Sequence, residues 1–160
     1  MSRSTLFTRI STAAAAFALV AGLSACGGGG GTTTPSGGGG TTQPTTVTTT
    51  LPTFTFNSVP PGVVVFTDIS VNGSGTLSTT ADWTFASSDI DLYVTATTCA
   101  ATNTNNLQSG CTAIGRTVSP TAKPERLTVN VAQGNYRLWI ANFGPSTESG
   151  TLQASATVTR

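Results

Sequence analysis

The 160-residue sequence predicts an all-β protein: an antiparallel, jelly-roll-like β-sandwich of seven or eight strands behind a signal peptide and a disordered linker. Three observations carry that expectation. Short runs of alternating apolar and polar residues recur through residues 51–160, and turn signals rich in Gly, Asn, Ser and Pro separate them. No helical period shows in that stretch, and threonine, a residue favoured in strands, is abundant. Only 8% of residues are charged, which suits an exported β protein.

The elements follow in order. Thr53 to Phe56 is a short β-rich run, and Pro60-Pro61-Gly62 punctuates before Val63 to Val71. Asn72-Gly73-Ser74-Gly75 is a turn signal. Leu77, Thr79, Ala81, Trp83 and Phe85 then share one face, which makes Trp83 a core residue. Ile90, Leu92 and Val94 alternate with Asp91 and Tyr93, Leu127-Val129-Val131 forms another strand, and Gln133-Gly134-Asn135 turns into the next. There Tyr136, Leu138 and Ile140 oppose Arg137, Trp139 and Ala141, while Leu152, Ala154, Ala156 and Val158 mark the last strand.

Residues 1–25 are read as an export signal: Arg3 and Arg9 lie in a segment without acids, and the apolar run from Ile10 to Val20 is too short for a membrane span of about 20 residues. Leu23-Ser24-Ala25-Cys26 resembles the bacterial lipobox, which implies a diacylglycerol-modified Cys26 at the mature amino terminus. Gly27 is not the Asp that marks inner-membrane retention in enterobacterial lipoproteins, so the resemblance points to an outer-membrane anchor facing the periplasm or the exterior. Residues 26–50 read as the lipidated cysteine and a flexible Gly/Thr/Pro linker, too poor in apolar side chains to offset their ordering entropy. Removal of the signal takes Arg3 and Arg9 with it and leaves five basic against six acidic side chains.

Within the β region, the order of a Trp-bearing strand, Asp89-Ile90-Asp91-Leu92-Tyr93-Val94, Pro124-Glu125-Arg126-Leu127 and Gly134-Asn135-Tyr136-Arg137-Leu138-Trp139-Ile140 resembles the bacterial pre-peptidase C-terminal domain over most of residues 63–158. That family is a jelly-roll-like sandwich found beside secreted proteases. Here no peptidase precedes the module, so assistance to a protease in the same chain is not carried over.

The composition restricts function. The absence of histidine removes Ser-His-Asp and Cys-His catalysis and His-ligated zinc. A net charge of +1 without basic clusters gives no footprint for nucleic acid. The expectation is therefore a non-catalytic envelope lipoprotein whose sandwich binds a protein or a polysaccharide, with a structural, calcium-stabilised domain as the alternative and a hydrolase as the weakest reading. Cys99 and Cys111 lie in one Thr/Asn/Ser-rich connection and, in an oxidising compartment, predict a disulfide. No cofactor is required, but Asp89, Asp91 and neighbouring Asp82 are hard oxygen ligands of the kind calcium takes, and some members of the resembled family bind calcium. The same Asp pair also raises glycoside hydrolysis, which needs two carboxylates flanking a sugar. By strand alternation Tyr93, Arg137 and Trp139 face away from the core, either as a surface for sugar rings or protein, or beneath a loop such as the one closed by the disulfide.

Overall fold

The computed structural model describes residues 43–160. The expected signal peptide, Cys26 and the expected linker as far as residue 42 lie outside the described residues. Among the described residues there are nine strands: β1 (Thr46–Thr50), β2 (Phe54–Val59), β3 (Val64–Val71), β4 (Gly75–Trp83), β5 (Ile90–Ala96), β6 (Ala113–Arg116), β7 (Glu125–Val131), β8 (Gly134–Asn142) and β9 (Glu148–Thr159). One helix, α1 (Thr104–Gly110), interrupts them between β5 and β6.

The strands form two antiparallel sheets. One has the order β1-β9-β4-β7, with β2 also paired to β9, and the other has the order β3-β8-β5-β6. The long β9 binds β1 and β2 one after the other along one side, from Thr46↔Thr159 to Val59↔Glu148, and β4 along the other, from Gly75↔Val158 to Trp83↔Gly150. Every β4 residue on the predicted inner face is buried: Leu77, Thr79, Ala81 and Trp83. They meet Ile90, Leu92 and Val94 of β5 and Tyr136, Leu138 and Ile140 of β8 across the sandwich, so one core runs between the sheets. At Gly150 the packing excludes any side chain, because a Cβ would overlap the Asp82 carbonyl and the Phe56 ring.

Three expectations need correction. The linker does not extend to residue 50: Thr46–Thr50 pairs residue for residue with Ser155 to Thr159, because β-branched threonines fit a pleated edge even where they bury little. The region with no helical period nonetheless contains α1, whose polar sequence hides it. Asn103 caps it by accepting a hydrogen bond from the Asn106 amide at 2.9 Å, and Leu107 is its buried apolar anchor. Phe85 lies past the end of β4 and is exposed rather than in the core.

Candidate binding site on the outer face of the four-stranded sheet

The disulfide forms as expected. Cys99 and Cys111 are bonded, with Cα atoms 5.5 Å apart. They close a loop that carries α1 and folds over the outer face of β5 and β8. Beneath it lies a second cluster of buried residues, comprising Val64, Tyr93, Leu107, Trp139 and Ala141, with Cys99, Ala101, Cys111 and Phe143 against it. Strand alternation placed Tyr93 and Trp139 on this face correctly, yet neither forms an open surface: Tyr93 is 2% and Trp139 1% exposed. Leu107 and the disulfide shield them, and the Trp139 indole N–H is satisfied by the Thr95 hydroxyl at 3.0 Å.

Arg137, the third residue of the predicted surface, locks the cover to the sheet. Its Nε and Nη2 donate to the two Asp68 carboxylate oxygens at 2.7 and 2.8 Å, and its Nη1 donates to the Cys99 carbonyl at 2.8 Å. Asp68 is thereby held below its ordinary carboxylate range by the Arg137 hydrogen bonds. The guanidinium stacks 3.8 Å from the centroid of Phe66, which in turn leans on Trp139 at 4.9 Å. Phe66 is 43% exposed. The sequence pattern does not single it out, because it lies in a β3 run that reads as apolar on both faces. Next to this aromatic, Asp68, Ile69, Ser70, Thr97 and Asn135 line a shallow cavity of about 300 Å³. The Ser70 hydroxyl donates to Asn135 Oδ1 at 2.6 Å.

The acidic residues divide into two groups. Asp82 does not join Asp89 and Asp91; it lies on β4 in the other sheet, 3.1 Å from Lys123 Nζ, and that hydrogen-bonded lysine lowers its pKa. Asp89 and Asp91 instead face Glu125 at the start of β7, a residue that spacing in the sequence does not connect to them. Burial, then the Asp89 and Glu125 charges, push the Asp91 carboxyl up to about 7 against a weaker opposing pull from Arg116. Burial also raises Asp89, and it raises Glu125 against a hydrogen bond from Thr117. Ser88 Oγ, Asp89 Oδ1, Asp91 Oδ1 and Glu125 Oε2 are buried without a hydrogen-bond partner. Such oxygens suit a hard cation, although among the described residues no three carboxylates converge as a metal cage. Asp91 is only 6% exposed, so the Asp pair does not flank an open sugar-binding cleft.

Glu148 is also fully buried, and its role is structural. Its Oε2 accepts the Thr84 and Phe85 amides, each at 3.1 Å, and so closes the loop that leaves β4.

No family model matches the chain, and no curated protein matches it. Among solved structures, the chain is similar to a carbohydrate-binding module of lichenase 5A from Cellvibrio mixtus, solved in complex with cellotriose. The TM-score is 0.40 and the identity 12%, over 69% of this chain and 95% of that one.

Proposed function

We propose that the chain is a non-catalytic cell-envelope lipoprotein, anchored through Cys26 and carrying a β-sandwich that binds a polysaccharide beside Phe66. The observation that carries the reading is the half-exposed Phe66 ring, backed by Trp139 and by an Arg137 already committed to Asp68 and Cys99. An aromatic held rigid from behind offers a stacking surface at little entropic cost. Ser70, Thr97, Asn135 and the Asp68 carboxylate beside it supply the hydrogen-bonding groups that sugar hydroxyls require. The lipobox-like Leu23-Ser24-Ala25-Cys26 supports the anchor, and the Gly27 that follows favours the outer membrane.

The test is retention of the chain on insoluble envelope and extracellular polysaccharides. Phe66→Ala is expected to lower retention by about tenfold, since the loss of one aromatic stacking contact is worth about 1–1.5 kcal/mol, while the chain stays folded with a modestly lowered thermal midpoint from the lost Arg137 and Trp139 contacts. Equal retention of the native chain and Phe66→Ala refutes the site, and retention only on a protein partner moves the reading to a protein-binding module. Labelling with radioactive palmitate, lost in Cys26→Ser, tests the anchor.

A second reading, a calcium-stabilised domain, draws on the partnerless buried oxygens of Asp89, Asp91 and Glu125. When bound, calcium would neutralise charges that otherwise repel one another.

A further inference from the structure

On the opposite flank of the disulfide cover from Phe66, Tyr93, Leu107, Gln108, Cys111, Ile114 and Arg116 line a half-open cavity of about 400 Å³. Its size lies toward the small end of ligand pockets, about 300–1,000 Å³. Three kinds of group converge there. Gln108 Nε2 donates to the Tyr93 hydroxyl at 3.4 Å, which leaves the hydroxyl proton and the Gln108 amide oxygen available to a ligand. Ile114 presents an aliphatic ledge, 45% exposed. Arg116 pairs with Tyr93 across β5 and β6, which puts the two side chains on one face of the sheet at the cavity wall. Among the described residues the salt bridges are those of Lys123 with Asp82 and Arg137 with Asp68; Arg116 belongs to neither, and its charge acts at longer range on Asp91.

The wall is firm. Gly115 packs so closely on Val129 of β7 that a Cβ there would overlap the valine methyl, and the disulfide fixes the rim at Cys111.

We infer that this cavity holds a carboxylate-bearing sugar residue, a uronate of an anionic polysaccharide. The guanidinium fork matches a carboxylate, the hydroxyl and the amide match ring hydroxyls, and the Ile114 ledge meets the C–H face of the ring. An aliphatic acid would leave the Tyr93 and Gln108 groups without partners, and a single cation without a nest of backbone N–H groups is a poor phosphate site. The inference rests on the polysaccharide-binding reading but uses different residues, so the two can fail separately.

The experiment is calorimetric titration of the purified full chain with trigalacturonate, its methyl ester and free galacturonate. Trigalacturonate is expected to bind, free galacturonate to bind more weakly at the same site, and the ester to lose at least about tenfold, the worth of one charge-assisted contact. Arg116→Gln should lose as much for trigalacturonate and nothing for the ester, and Ile114→Ser should weaken both; since both side chains are exposed, neither variant should shift the thermal midpoint. No binding of trigalacturonate up to about 10 mM, where a ligand with a Kd of about 1 mM would nearly fill the site, overturns the inference. So does equal binding by native chain and Arg116→Gln. Binding lost in Phe66→Ala but kept in Arg116→Gln overturns it while sparing the Phe66 site.

Discussion

Raising the pH from 4.5 to 7.5 should destabilise this domain, and Asp91 dominates the effect. In the unfolded chain its carboxyl ionises near 3.8, whereas in the fold burial and the neighbouring Asp89 and Glu125 charges hold the proton until about pH 7. Between those values the native state binds more protons than the unfolded state, so stability falls as pH rises and levels off above about 7. The difference of about three pKa units corresponds to roughly 4 kcal/mol at 1.36 kcal/mol per unit, and solvent screening around the acidic cluster reduces this to about 2–3 kcal/mol. Asp89 and Glu125, also raised by burial, act in the same direction. Asp68 and Asp82 act in the opposite sense, but as exposed groups with lowered pKa they lose their small contribution only below about pH 4. Urea unfolding at pH 4.5, 6.0 and 7.5, in chelator, measures the slope. Asp91→Asn should flatten it and be more stable than the native chain at pH 7.5 by a comparable amount. Stability that is level or rising across this range refutes the account, as does an Asp91→Asn chain that keeps the full slope.

Further expectations follow from the same structure. Replacing both cysteines by serine should cost about 3 kcal/mol for a loop of this length and expose Trp139 to acrylamide quenching; unchanged quenching would show that Leu107 alone holds the cover. Glu148→Ala orphans the Thr84 and Phe85 amides and should cost about 2–3 kcal/mol in urea unfolding, while Glu148→Gln, which keeps an acceptor, should recover most of it. If Asp89, Asp91 and Glu125 hold calcium, calcium in excess must raise the thermal midpoint at pH 7.5 relative to chelator, and Glu125→Gln must abolish the rise; equal midpoints dismiss the metal.

The sandwich was legible because its inner faces obey a period of two. Leu77, Ala81, Trp83, Ile90, Leu92, Leu138 and Ile140 all sit in the core, where alternation puts them. What escaped was governed by non-local contacts. Thr46–Thr50 looks like linker because its stability comes from a partner more than a hundred residues away. Alternation distinguishes the two sides of β8 but says nothing about what covers the second side, so Trp139 and Tyr93 read equally well as a surface or as a floor. The cover decides, and its helix is specified by one cap, Asn103, and one leucine. The candidate site moved accordingly, from the buried aromatics to the residues at the edges of the cover, Phe66 on one flank and Arg116 on the other. Glu125 escaped because carboxylates separated by more than thirty residues cannot be recognised as neighbours from spacing.

The position of β9 sets a timetable for the chain. It is the last of these strands to leave the ribosome, yet β1 and β2 depend on it for pairing and β4 for one of its two neighbours, and the Thr45 and Arg160 peptide groups bond reciprocally at 2.8 and 2.9 Å. The five-stranded sheet therefore cannot assemble until synthesis has passed residue 159, and its long-range pairings close slowly even then. Until that moment β1 and β2 have no template, and their backbone groups wait unpaired.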